Sequence, residues 1–187
     1  MRYAFEQAGY FTASQARDIG YSHQAQKYHS DTGNWVRVDR GLYRFPDWPP
    51  EDDDVYVRWV LWSGRRAVVS HETALRVHDL SDLDPTRIHL TVDRGFHRSD
   101  DAVVLHKADL TNDSVESRGA WSVTTPLRTL IDVAGTDVAQ EHVDRAVLDA
   151  LQLGRTSRRR LLRAADGASD RAALRLERAL AAAEAAL

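Results

Sequence analysis

The spacing of apolar and polar residues divides the chain into a short helix-rich stretch, a broken segment, and a longer region mixing helices with strands. Arg2 to Ala8 carries a helical pattern that Gly9 stops. Thr12-Ala13-Ser14-Gln15 then has the form of a capping box, in which the threonine hydroxyl and the glutamine amide each satisfy a backbone N–H at a helix start. Gly20 suits the left-handed end of that helix. Ser22 is a good N-cap for the next one, which is predicted to run to about Thr32, to stop at Gly33, and to turn Ala25, Tyr28 and His29 inward. Trp35 to Val38 and Leu42 to Phe45 alternate around Asp39-Arg40-Gly41, which predicts a β-hairpin. The order is helix, helix, helix, hairpin.

Periodicity breaks at Phe45-Pro46-Asp47-Trp48-Pro49-Pro50-Glu51-Asp52-Asp53-Asp54, where three of the five prolines meet an acidic run. Beyond it, Val55 to Ser63 reads as helix, Ala67 to Val69 as a short strand and His71 to His78 as helix. Ile88 to Val92, Ala102 to His106 and Trp121 to Val123 are β-rich. Thr125-Pro126 starts a helix that Gly135 closes, and Val138 to Leu153, Ser157 to Ala165 and Ser169 to Leu187 are helical. The fold class expected is therefore α+β: a small unit over residues 1–47, a linker over 48–54, and a mixed α+β unit over 55–187.

Composition narrows the chemistry. The 187 residues contain no cysteine, which excludes disulfides, thiolate metal sites and thiol nucleophiles together. No apolar run approaches the roughly 18 residues of a membrane span, and Met1-Arg2-Tyr3 begins no signal peptide, so a cytoplasmic protein is expected. The net charge of -3 decides nothing by itself, because nucleic-acid binding needs a local basic face. Such a face exists. Residues 12–45 hold five basic side chains (Arg17, Lys27, Arg37, Arg40, Arg44) against three acidic ones.

Two short helices joined by a tight turn allow the second to enter the major groove of B-DNA while the first crosses the backbone. On that reading Ser22, His23, Gln24, Gln26 and Lys27 belong to the recognition helix, with Gln24 and Gln26 reading bases through their amides. Lys27, Arg37, Arg40 and Arg44 neutralise phosphates from the helix and the hairpin wing. The competing reading is a polar helix and a solvated hairpin that contact no nucleic acid.

The residues carrying this pattern resemble the winged helix-turn-helix of AbiEi-type antitoxins: Gly9-Tyr10-Phe11-Thr12-Ala13-Ser14-Gln15-Ala16, Gly20-Tyr21-Ser22, Tyr28-His29, Gly33-Asn34-Trp35 and Arg40-Gly41-Leu42-Tyr43-Arg44. Ser70-His71-Glu72-Thr73-Ala74-Leu75, His78-Asp79-Leu80, Ile88-His89-Leu90-Thr91-Val92 and the stretch from Thr124 to Asp132 are similar to the effector region of the same family. The resemblance implies a repressor that binds inverted repeats in its own operon as a homodimer. It also implies a second unit that counters a nucleotidyltransferase-type toxin, although some relatives are regulators without a toxin.

Enzymatic alternatives are weaker. His71 and His78 stand seven apart with carboxylates nearby, the basis of a rival reading as a metal-dependent hydrolase, yet no zinc-ligand spacing occurs along the chain. No Gly-x-Ser-x-Gly elbow accompanies Ser70-His71-Glu72, and nothing after residue 135 supplies a nuclease set of ordered acids and lysine. The expectation is no catalytic residue, no metal and no cofactor. Arg155 to Arg163 is the densest basic run, and Arg171, Arg175 and Arg178 share one arc of the last helix; both read first as solvated helix surface.

Overall fold

A computed structural model describes residues 2–186, so Met1 and the expected helix end at Leu187 lie outside it. The class is α+β. Two compact units emerge: Met1–Ala67 with Ser117–Ser122, and Val68–Glu116 with Val123–Leu187. The first therefore takes in the helix that follows the proline-rich segment.

In the first unit α1 (Arg2–Glu6) leads into β1 (Tyr10–Thr12), then α2 (Ala13–Asp18), α3 (His23–Asp31), β2 (Val36–Asp39), β3 (Leu42–Arg44) and α4 (Asp54–Trp62). Both expected caps form. Thr12 Oγ1 accepts from Gln15 N at 3.2 Å, Gln15 Oε1 accepts from Thr12 N at 2.8 Å, and Ser22 Oγ accepts from Ala25 N at 3.2 Å. The box is buttressed from behind, because buried Gln7 donates to Gln15 Oε1 at 3.1 Å and accepts from Gln15 Nε2 at 2.8 Å.

Strand β1 was not legible in the spacing. It pairs antiparallel with β3, Tyr10 opposite Arg44 and Thr12 opposite Leu42, and completes a three-stranded sheet in the order β1-β3-β2. The wing is thus stitched to the segment that caps α2. Aromatic rings fill the centre: Phe11 meets Trp35 edge-on at 4.8 Å, Tyr21 meets Trp35 at 5.0 Å, and His29 stacks on Trp35 at 4.8 Å. A register shift between Arg37 and Asp39 marks a bulge at Val38, which bends the wing near its tip.

A five-stranded sheet of β4 (Ala67–Val69), β5 (Ile88–Val92), β6 (Val103–Lys107), β7 (Val115–Arg118) and β8 (Trp121–Thr124) takes the order β6-β5-β4-β8-β7. The β5–β6 pair is parallel, with His89 opposite Val104 and Thr91 opposite His106. The helices are α5 (His71–Val77), α6 (Pro126–Ala134), α7 (Gln140–Gln152), α8 (Arg158–Ala165) and α9 (Asp170–Ala186). Their apolar stripes share one core around Leu75, Leu130, Val147, Leu161 and Leu176.

Arg175 corrects the reading of a basic arc on the last helix. Its guanidinium donates to the carbonyls of Ala134 (3.2 Å), Thr136 (2.7 Å) and Val138, closing the C-terminus of α6 rather than facing solvent. Arg155, Arg158, Arg159, Arg160 and Arg163 are all exposed, with Arg158 paired to Glu184.

Candidate nucleic-acid interface

Helix α3 is polar almost throughout, so its burial rather than its composition shows which face is free. Ser22, His23, Gln24 and Lys27 are exposed, and so is Tyr28 at 63 %. That reverses the expectation for Tyr28, which turns outward because His29 and Trp35 already fill the space beneath the helix. His23 sits beside Arg17, its Nε2 3.5 Å from the guanidinium. Lys27 reaches Asp31 at 2.5 Å, an exposed i,i+4 pair worth only about 0.3–0.5 kcal/mol and easily exchanged for a phosphate.

Gln26 is a second correction. It is 2 % exposed, and its amide donates to Ala13 O and Tyr21 O, both at 3.1 Å. The side chain ties α3 to the start of α2 and to the turn between them, so it holds the two helices at their crossing and has no free edge for a base. Replacing Gln26 with alanine removes both bonds and should cost about 1–3 kcal/mol of stability, read by urea denaturation, without altering preference among DNA sequences.

On the wing Arg37 and Arg40 are exposed. Arg37 Nε lies 3.5 Å from Asp39 O, a weak contact, and the Arg40 amide donates to the Asp39 carboxylate, which fixes the turn and leaves the Arg40 guanidinium outside it. Arg44 differs. Its guanidinium pairs with buried Asp54, reaches Ala8 O at 3.4 Å and lies over the Tyr10 ring at 5.0 Å. It braces the sheet against the start of α4, so the free set is Ser22, His23, Gln24, Lys27, Tyr28, Arg37 and Arg40. Amide, imidazole and phenol groups on the helix, with guanidinium groups on the wing, form the pattern that suits base edges flanked by phosphates.

Residues 1–46 match the AbiEi family model. The family is described as transcriptional regulator, AbiEi antitoxin, and the matched segment ends just past the wing. No curated protein sequence matches the chain. The crystal structure of RV2827C protein from Mycobacterium tuberculosis is similar over 97 % of this chain and 74 % of that one, with a TM-score of 0.66 and 16 % identity, a likeness of fold. No helix among the described residues is long and apolar enough to cross a membrane.

Outside the matched segment, the two histidines of the hydrolase reading do not converge. His78 is buried with its Nε2 2.7 Å from Thr124 O, a helix-end contact. His71 instead stacks on His106 at 3.4 Å, the planes 10° apart, and its Nδ1 lies 2.9 Å from Ser70 Oγ. Burial and the neighbouring rings push His71 down to about 2 and His106 down to about 4, so both are neutral imidazoles near pH 7. Burial pushes the Glu72 carboxyl up, but the adjacent His89 outweighs it and holds the group below its ordinary value. Spacing along the chain could not reveal this cluster, because its members come from α5, β5 and β6.

Proposed function

We propose that the chain is a DNA-binding transcriptional repressor of the antitoxin kind, acting in the cytoplasm. Its winged unit binds an inverted-repeat operator in its own promoter as a homodimer, and its second unit neutralises a nucleotidyltransferase-type toxin encoded beside it. The observation that carries the first half is the exposed face of α3, rich in hydrogen-bonding groups, held by two satisfied caps beside an arginine-bearing wing. The AbiEi match over the same residues supports the regulator role.

In this reading Gln24, in the first turn of α3, pairs with a base edge, and Lys27, Arg37 and Arg40 neutralise phosphates. Ser22 has a double use: its hydroxyl caps the helix, and its position at the N-terminus brings backbone N–H groups toward a phosphate.

A gel-shift titration of the chain's own upstream DNA at several salt concentrations tests this directly. Each phosphate contact adds about -0.9 to the slope of log affinity against log salt, so Arg40→Ala should flatten the slope by about that amount for every DNA sequence. Gln24→Ala should leave the slope alone and lose about 1–3 kcal/mol of discrimination among operator variants. Unchanged binding in both variants would overturn the placement of helix and wing. For the second half, co-expression with the adjacent reading frame should show growth rescue that survives Arg40→Ala; rescue that needs Arg40 would place both activities on one surface.

A further inference from the structure

The second unit holds a group of side chains that the regulator reading leaves unused. Glu72 stands in the first turn of α5, His89 on β5 and His106 on β6, and one donor atom from each lies within 4.8 Å of the others. Glu72 Oε2 is 2.5 Å from His89 Nδ1, which is 3.1 Å from His106 Nε2. The Glu72 and His89 side chains are only 13 % and 14 % exposed.

Protons cannot satisfy this arrangement. A hydrogen on His89 Nδ1 can be aimed at the carboxylate or at the His106 nitrogen. If His106 donates instead, the bare His89 nitrogen faces a carboxylate oxygen. In each case one acceptor is left without a well-aimed hydrogen in a largely dry site, which is costly. Glu72 Oε2 is buried and, although it lies against His89 Nδ1, makes no regular hydrogen bond among the described residues. A cation at the point of convergence would satisfy all three donors together.

The surroundings are built to hold that geometry. Ser70 N donates to His89 O at 3.0 Å and His89 N donates to Thr73 Oγ1 at 2.9 Å, so the His89 backbone is fixed on both sides. Thr91 Oγ1 donates to Ser70 Oγ at 2.8 Å, and Ser70 in turn meets His71, whose ring lies flat on His106. His71 adopts φ +52°, a left-handed conformation uncommon outside glycine, though histidine enters it more readily than most, and one that clusters where a site over-determines the backbone. A cleft of about 320 Å³ opens on Glu72 and His89, and a separate one of about 650 Å³ opens on His71 and His106.

We propose that Glu72, His89 and His106 form a binding site for a divalent transition-metal ion of the zinc class, with His71 and Ser70 positioning the ligands. Two imidazole nitrogens and one carboxylate oxygen are the donor set of three-ligand zinc and non-haem iron sites, whereas magnesium and calcium favour oxygen. Tetrahedral zinc with bonds of roughly 2.0–2.1 Å sets its donors about 3.3 Å apart, close to the observed His89–His106 separation, and the Glu72 contact needs to open by less than about 1 Å. Three protein ligands leave a position free for water or a partner's donor.

The test uses the full untagged chain, treated with chelator, dialysed, and titrated with zinc by calorimetry, with bound metal counted by elemental analysis. One zinc per chain is expected. Glu72→Gln, which keeps the side-chain shape, and His106→Ala should each weaken binding by roughly tenfold or more, while His97→Ala, at an exposed histidine, should not. Cobalt substitution adds a direct readout: visible ligand-field absorption that depends on His89. Circular dichroism and melting confirm that each variant is folded, and Glu72→Gln decides the matter should an alanine variant fail to fold. No stoichiometric zinc, or zinc retained at equal affinity by Glu72→Gln, would overturn the proposal. Neither outcome bears on operator binding, which resides in other residues.

Discussion

Replacing Trp35 with alanine is expected to lower the stability of the winged unit by about 3–5 kcal/mol, the range for removing a large buried aromatic. Trp35 is 3 % exposed and packs against Phe11, Tyr21, His29 and Tyr43, so its loss empties the middle of the unit rather than trimming an edge. Among the described residues the buried cluster around it consists of Ala4, Phe11, Ala16 and Trp35 with half-buried rings packed on it, so little in this cluster can fill the space that Trp35 would leave. His29 loses its stacking partner as well, which loosens the C-terminal half of α3 and so the helix that carries Gln24 and Lys27. Urea unfolding followed by near-ultraviolet circular dichroism should show an early transition in the variant, and operator affinity should fall with it. A variant that unfolds like the parent would show that the rings decorate the unit rather than support it.

The elements most legible in the sequence were those whose ends are set by local chemistry. Thr12 and Ser22 announce α2 and α3 because an N-cap is a bond between neighbours, and Pro126 does the same for α6. Strand β1 was not legible, because three residues have no period of their own and exist as a strand only through pairing with β3. The same limit governs the interface. Gln24, Lys27, Arg37 and Arg40 are exposed, as polar and charged residues on a short helix and hairpin are expected to be, whereas the placement of Gln26, Tyr28 and Arg44 depends on partners elsewhere in the fold. A glutamine is buried when two carbonyls need a donor, as those of Ala13 and Tyr21 do for Gln26. An arginine is withdrawn when a buried carboxylate faces it, as Asp54 does for Arg44 ten residues along the chain.

The histidine cluster shows this limit most sharply. His71 and His78 stand seven residues apart, a spacing that brings two side chains near one face of a regular helix, yet His71 is the first residue of α5 and His78 lies just past its end. The donors that do converge are separated by 17 residues between His89 and His106 and meet because β5 and β6 run parallel. Parallel pairing over such a connection is a property of the sheet, and no spacing rule along the chain encodes it.

A final contrast lies at two adjacent residues with left-handed backbones, Ala8 at φ +52° and Gly9 at φ +79°. Gly9→Ala should cost roughly 3 kcal/mol, combining the strain of a side chain at positive φ with overpacking. A Cβ at Gly9 would lie 2.7 Å from Trp48 Cβ and 2.8 Å from Trp48 Cδ2, inside van der Waals contact, and Trp48 is itself held edge-on against Phe5 at 5.2 Å. The backbone cannot move away freely, because Gly9 O accepts from Phe45 N at 3.1 Å and Tyr10, the next residue, pairs with Arg44. Strain at Gly9 is therefore delivered to the β1–β3 pairing that anchors the wing, and the phosphate contacts proposed for Arg37 and Arg40 should weaken along with stability. Ala8→Gly serves as the control. It relieves one left-handed side chain while making the unfolded chain more flexible, two effects of about 1 kcal/mol and opposite sign, so its net change should stay under about 1 kcal/mol. Thermal melts of the two variants beside the parent separate the causes. Equal destabilisation by both would mean that the local turn, not the contact with Trp48, sets the requirement for glycine, and an unchanged Gly9→Ala would show that Trp48 is free to swing away.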